Sequence, residues 1–213
     1  FFGHELMNIC VEVSKKMNSN ISQLSDNESM FYINYAGGDD LVIMGPASGI
    51  LELSKVINER FSEYTLNKNI TISGGITIQS PSAPIRFGIK EAEEYLSQSK
   101  TLDEKNGITL IHTSCKMNEY EQVLQQVNVF RQYITNQDIS RTNFYNMMKV
   151  LDVENMEKYY RNIPILLYSL KRNVKNKDVR QDLISKISMA NMNCDQLKKL
   201  VLEMKLAIMQ TRG

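Results

Sequence analysis

Strand-forming runs occur only in the first half of this 213-residue chain and stop at Lys116; beyond it every apolar repeat has helical spacing. A chain divided in this way folds as a mixed sheet-and-helix module followed by a purely helical one. Charge follows the same division. Up to Cys115 there are 9 Lys and Arg against 14 Asp and Glu, and from Lys116 onward 16 against 10. Eight of the twelve methionines also lie in the second part. Domains are therefore expected at 1–115 and 116–213, with different partners for each. No apolar run approaches the ~20 residues that span a bilayer, so no membrane role is expected. Cys10, Cys115 and Cys194 are odd in number, far apart and without a C-x-x-C pair. That argues against a disulfide framework or a zinc knuckle and for reduced thiols in a cytoplasmic protein. The opening FFGHELMNICVEV is not a secretory h-region. It reads as a helix entered midway, and the chain is expected to be part of something larger.

Phe2, Leu6, Ile9, Val13 and Met17 predict an amphipathic helix over 1–18, followed by a polar loop over 18–29. MFYINY (30–35) and LVIM (41–44) flank AGGDD and predict a β-hairpin. A helix over about 46–64 carries Ile50, Leu53, Ile57 and Phe61 on one face. ITISGGITI (70–78) reads as a strand whose glycine pair marks a bulge or a close backbone approach. A helix from Ile85 to near Lys100 and a strand over 108–111 complete the first region. The order is that of an α+β module, most of a ferredoxin-like fold whose first strand lies upstream of Phe1. Helices are expected at about 118–135, 141–151, 153–175 and 178–211, forming an all-α helical bundle; Asp178 and Asp195 could cap or interrupt the last.

The segment YAGGDDLVIMG (35–45) carries the most chemistry. Asp39 and Asp40 fall at the tip of the hairpin, behind Gly37 and Gly38. Mg²⁺ takes one or two protein carboxylates plus substrate phosphates, and side-chain-free glycines let a triphosphate approach the backbone. Phosphoryl and nucleotidyl transfer need such a metal clamp. The competing reading is a plain Gly-Gly-Asp turn. Adjacent strand residues face opposite ways, so both carboxylates can share one metal only if the turn twists or bulges.

YAGGDDLVIMG, the following helix, NITISGGITI, SAPIRFGIKEAEEYLSQSK and KNGITLI together resemble the second palm domain of the large subunit of type III CRISPR–Cas complexes, most closely the Csm type. The helical remainder, including ISRTNFYNMMKVL (139–151), resembles that subunit's C-terminal helical domain. The resemblance implies a nucleotidyltransferase of antiviral defence that joins ATP into cyclic oligoadenylates when the complex captures target RNA. Asp39 and Asp40 would be catalytic ligands of Mg²⁺ or Mn²⁺. Gly37 and Gly38, with Lys100 and Lys105, would bind the nucleotide. The implied partners are the other subunits of the complex, including the small subunit, guide and target RNA, and the upstream palm of the same subunit. The strand expected to carry a further carboxylate and the first palm are absent from this sequence. The isolated chain is therefore expected to be a poor synthase.

Competing readings remain for several features. Lys100 and Lys105 also fit a solvated helix end. The palm is similar to that of diguanylate cyclases, which use GTP, but those read GGDEF or GGEEF where Leu41 follows the second acid here. A non-catalytic assembly platform for RNA and small subunits is the other alternative. His4 and His112 are not followed by Asp, so the His-Asp pair of the family's DNA-cutting domain is lacking and both are read as structural. The run KRNVKNKDVR (171–180) reads either as an RNA-phosphate contact or as a wet helix junction. No P-loop, G-x-G-x-x-G or G-x-S-x-G motif is present.

Overall fold

The computed structural model describes residues 1–17, 28–67, 69–102, 105–151, 156–190 and 193–211. The polar loop expected over 18–29 falls almost wholly outside these residues. The chain forms two compact units, Phe1–Glu121 and Gln122–Gly213. Among the described residues, no helix is long and apolar enough to cross a membrane.

The first unit begins with α1 (Glu5–Met17), followed by the hairpin of β1 (Tyr32–Gly37) and β2 (Asp40–Met44). Next come α2 (Ala47–Thr65), β3 (Gly74–Ile76), α3 (Ile85–Ser99), β4 (Gly107–Leu110) and β5 (Thr113–Lys116). The strands make two sheets. One is the antiparallel hairpin β1-β2; the other has the order β3-β4-β5, with β3 parallel and β5 antiparallel to β4.

Of the apolar face expected over residues 1–18, Leu6, Ile9 and Val13 are buried, whereas Met17 is exposed and Phe2 precedes the helix, which begins at Glu5. Leu6, Ile9, Cys10 and Val13 of α1 share a buried cluster with Phe31, Leu53 and Ile57, and the hairpin adds Ile33, Leu41 and Ile43. Burial without a charged partner pushes the Cys10 thiol up to about 11, so it is a protonated, inert core side chain. All three cysteines are free.

Two strand expectations need correction. The 70–78 run pairs only over Gly74–Ile76, because its hydrogen-bonding partner β4 spans just four residues. Upstream, the Thr71 and Ser73 hydroxyls donate to the Lys105 carbonyl instead. β5 was not expected either, because TSCK (113–116) carries no strand pattern of its own. The β4-β5 turn is Ile111–His112, both with positive φ (48° and 60°), a conformation that usually selects Asn or Gly. The Tyr95 hydroxyl lies 3.2 Å from His112 Nδ1, and the two rings meet edge to face.

A line of buried hydroxyls ties this sheet to α3. Ser99 Oγ donates to the Gly74 carbonyl at 2.6 Å and lies 2.7 Å from Thr109 Oγ1, which lies 2.8 Å from Ser114 Oγ. Gly75 sits where β3 crosses α3. A Cβ there would fall 2.2 Å from the Ala92 carbonyl oxygen and 2.5 Å from the Leu96 nitrogen, so within the glycine pair it is Gly75 that marks a close backbone approach.

In the second region, α4 (Met117–Thr135) begins within the first unit, where the Tyr120 hydroxyl bonds the Leu51 carbonyl at 3.1 Å. The division between the two compact units falls inside α4, after Glu121. The helices α5 (Arg141–Leu151), α6 (Met156–Asn173), α7 (Lys177–Ala190) and α8 (Cys194–Gln210) follow. Phe130 packs on Phe144 with ring centres 5.3 Å apart, and the buried Tyr159 donates to the Ile187 carbonyl at 2.9 Å. The single helix expected over 178–211 is two. Asn193 caps α8, its side chain accepting from the Asp195 backbone N–H at 2.9 Å. Leu197, Val201, Met204 and Ile208 are buried along α8, as their spacing predicted.

The Gly75 contact is with main-chain atoms, which cannot swing aside. Gly75→Ala is expected to destabilise the first unit by about 1–3 kcal/mol. Gly74→Ala, whose Cβ would meet only the Ile108 side chain at 3.5 Å, should cost far less. Urea unfolding followed by tyrosine fluorescence measures both; equal effects would contradict the close approach.

Candidate active site

The hairpin tip is a two-residue turn, Gly38–Asp39, closed by the pair Gly37↔Asp40. Gly38 has φ +61°, the conformation that the first central residue of such a turn requires and that only glycine adopts freely. A bulge between Ile33 and Tyr35 shifts the register of β1 against β2. Asp40 opens β2 and Asp39 lies in the turn, so strand alternation does not separate the two carboxylates. Alternation does set Asp40 apart from Leu41 and Ile43, which pack on the core.

β2 and β3 flank an open cleft of about 580 Å³. Its apolar lining includes Leu53 and Ile57 from α2 and Ile89 and Leu96 from α3. Asp39, Asp40, Lys100 and Lys105 all line this same cleft. The structure thus brings together four of the six residues singled out in the sequence. Gly37 and Gly38 shape the turn but are not among the lining residues, and a side chain on Gly38 would point into open space. Among the described residues, β2 pairs only with β1 and β3 only with β4, so each presents an unpaired edge.

The lysines come from the segment after α3. Lys100 caps the end of that helix, its backbone N–H bonding the Leu96 carbonyl at 3.0 Å. Lys105 has φ +48°, a left-handed conformation costly for a side chain of its size. Its carbonyl accepts from both Thr71 and Ser73, which holds that backbone against the strand leading into β3. Tyr35, Ser73 and Glu93 also line the cleft, and the sequence reading had not singled them out. Glu93 lies seven residues before Lys100, two turns along one face of α3; that spacing was the available signal. On α3, Glu91 accepts from Thr77, Tyr95 and Gln79, and these bonds, Thr77's foremost, hold its carboxyl below the usual range.

Among the described residues, no three His, Cys, Asp or Glu side chains converge as a complete metal shell. Two adjacent carboxylates on an exposed turn nevertheless suit Mg²⁺ or Mn²⁺ bound together with substrate phosphates, an arrangement that leaves most ligand positions to water and substrate.

An acid-tipped hairpin backed by α1 and α2, beside a second strand-and-helix layer, has the organisation of a palm domain. Residues 2–109 match the family profile described as Cas10/Cmr2, second palm domain, and the chain belongs to that family, the large subunits of type III CRISPR effector complexes. Three relatives share the name CRISPR system single-strand-specific deoxyribonuclease Cas10/Csm1 (subtype III-A). The protein of Mycobacterium tuberculosis is 35% identical over 78 residues, 37% of this chain and 10% of the relative. That of Methanocaldococcus jannaschii is 30% identical over 130 residues, 55% of this chain and 16% of the relative. That of Streptococcus thermophilus is 28% identical over 171 residues, 75% of this chain and 22% of the relative. The matched segments therefore cover between 10% and 22% of the length of these relatives.

The turn geometry gives a direct expectation. A β-branched residue at Gly38 is costly with positive φ, so Gly38→Val should loosen the closing pair and speed amide exchange at Asp40, whose N–H faces Gly37 across that pair, while exchange in β4 stays unchanged. Hydrogen exchange read by NMR checks it; unchanged protection at Asp40 would contradict the assigned turn.

Proposed function

We propose that this chain supplies a catalytic palm that joins ATP into cyclic oligoadenylates when a type III CRISPR complex captures target RNA, as part of antiviral defence. One observation carries the reading: the paired acids of the hairpin tip and two lysines from a distant loop line one cleft. Family membership supports it. Asp39 and Asp40 hold the divalent ion and Lys100 and Lys105 the phosphates, because carboxylates bind hard cations and ammonium groups bind phosphate oxygens. A divalent ion bound there lowers the pKa of an attacking ribose hydroxyl and draws charge from the α-phosphate. The hydroxyl oxygen of one ATP forms a bond to the α-phosphorus of the next, the bond to the β-phosphate oxygen breaks, and pyrophosphate leaves with that electron pair. The proton passes to water, since no side chain at the tip is an obvious general base.

The same reading includes a further strand that fills the apolar part of the cleft, in keeping with a ferredoxin-like palm. Two unpaired strand edges, β2 and β3, flank a floor of Leu53, Ile57, Ile89 and Leu96. A strand bonded to both edges would join the two sheets into one and leave the acids and lysines as the rim where nucleotide enters. A second palm facing that rim would complete the pocket for the partner ATP.

In the assembled complex with target RNA, Asp39→Ala with Asp40→Ala should reduce conversion of radiolabelled ATP by about 10²-fold or more, the scale of losing a preorganised charge-stabilising group. RNA capture should be unchanged. Undiminished product would sink the metal-ligand role, and turnover of GTP in preference to ATP would assign the site to a diguanylate cyclase-like chemistry.

A further inference from the structure

Ile33 of β1 packs on the core and stands opposite Ile43. Strict alternation would put Tyr35, two residues on, beside it on the core face and opposite Leu41. The bulge between Ile33 and Tyr35 takes up Asn34, and Tyr35 stands opposite Val42 instead. Residues directly opposite in an antiparallel pair share a face. Tyr35 and Val42 therefore lie on the same face as the closing pair Gly37 and Asp40, away from Leu41 and Ile43.

The Tyr35 ring leans along its strand toward the turn. Its Oη lies 2.8 Å and its Cζ 3.0 Å from the position a Cβ on Gly37 would take. Gly37 is half-buried beneath it, while Ala36 and Gly38 on either side are exposed. The two glycines thus have separate tasks: Gly38 supplies the positive φ of the turn, and Gly37 makes room for the ring. Gly37 faces Asp40, and the Cβ positions of such a pair are about 5 Å apart, which holds the phenol within about 8 Å of the Asp40 Cβ. Tyr35 is 54% exposed and lines the cleft together with Asp39 and Asp40. Among the described residues its hydroxyl has no hydrogen-bond partner. Covering a strand glycine accounts for the ring but not for the hydroxyl, which a phenylalanine would lack. A neutral donor suits this position, since an ammonium group beside the carboxylates would pair with them and compete with a bound cation.

We infer that the Tyr35 hydroxyl donates a hydrogen bond to a phosphate oxygen of the nucleotide whose cation Asp39 and Asp40 hold, and that Gly37 lacks a side chain so that the ring can lie in that position. The inference rests on the nucleotidyl-transfer reading of the cleft and adds a substrate contact to it.

Two measurements test it. Tb³⁺ occupies the oxygen sites of hard divalent ions and emits when a nearby tyrosine is excited, and the chain has no Trp to interfere. In the full chain, Tyr35→Phe should remove most of the sensitised emission that Asp39→Asn with Asp40→Asn removes. Emission that depends on the acids but not on Tyr35 would overturn the placement; emission indifferent to the acids would overturn the metal-ligand reading beneath it. In the assembled complex with target RNA, Tyr35→Phe, which keeps the ring, should lower kcat for ATP by about 10-fold or more and change KM by less than about 3-fold. Gly37→Ala, which displaces the ring, should lose as much, and Tyr35→Phe added to it should cost nothing more. Far-ultraviolet circular dichroism confirms that each variant is folded. Equal turnover by the parent and Tyr35→Phe complexes would overturn the inference and leave the role of the acids standing, whereas a parent complex that makes no product from ATP would overturn both.

Discussion

The crossing of β3 over α3 at Gly75 is the contact on which the geometry of the first unit turns. Backbone there lies against backbone, with no side chain between. That proximity lets Ser99 reach the Gly74 carbonyl and start the hydroxyl line through Thr109 to Ser114. The sheet and the helix are thereby fixed in one relative position. Lys100 ends α3 and Lys105 precedes β4, so fixing those two elements also fixes where the lysines emerge. The close approach thus connects a packing constraint to the chemistry of the cleft.

The cleft has two characters. Its floor is apolar and bounded by strand edges, which favours polypeptide, whereas its rim carries acids on one element and amines on another. A phosphate-bearing substrate with its cation meets opposite requirements at such a rim: negative groups for the ion and positive groups for the phosphate oxygens. The left-handed backbone at Lys105 is held by two hydroxyls. Strain kept in place by specific bonds is common where a side chain must be held for a task.

Much of this was legible in the sequence, for reasons that can be named. The acidic hairpin showed itself because its turn residues sit between two short apolar runs, and the helices did so through their spacing. β5 was hidden because its turn uses Ile111 and His112 in a conformation that ordinarily announces itself with Asn or Gly. Asn193 was overlooked as a helix start because apolar spacing runs on from α7 into α8, and a cap acts through one hydrogen bond. No spacing argument could bring Lys100 and Lys105 to Asp39. Their meeting depends on contacts between residues some sixty positions apart, and only the resemblance to a family suggested it.

The central claim is that the cleft between the hairpin and the β3 sheet receives the phosphates of a nucleotide. An acyl-phosphate derivative of ATP, which transfers its acyl group to amines beside the bound phosphates, tests this directly. After brief exposure with Mg²⁺, digestion and mass spectrometry locate the modified lysines in the assembled complex. The account predicts modification at Lys100 or Lys105, suppressed by excess ATP and by Asp39→Asn. Modification spread evenly over exposed lysines such as Lys90 and Lys198, and indifferent to ATP, would contradict it.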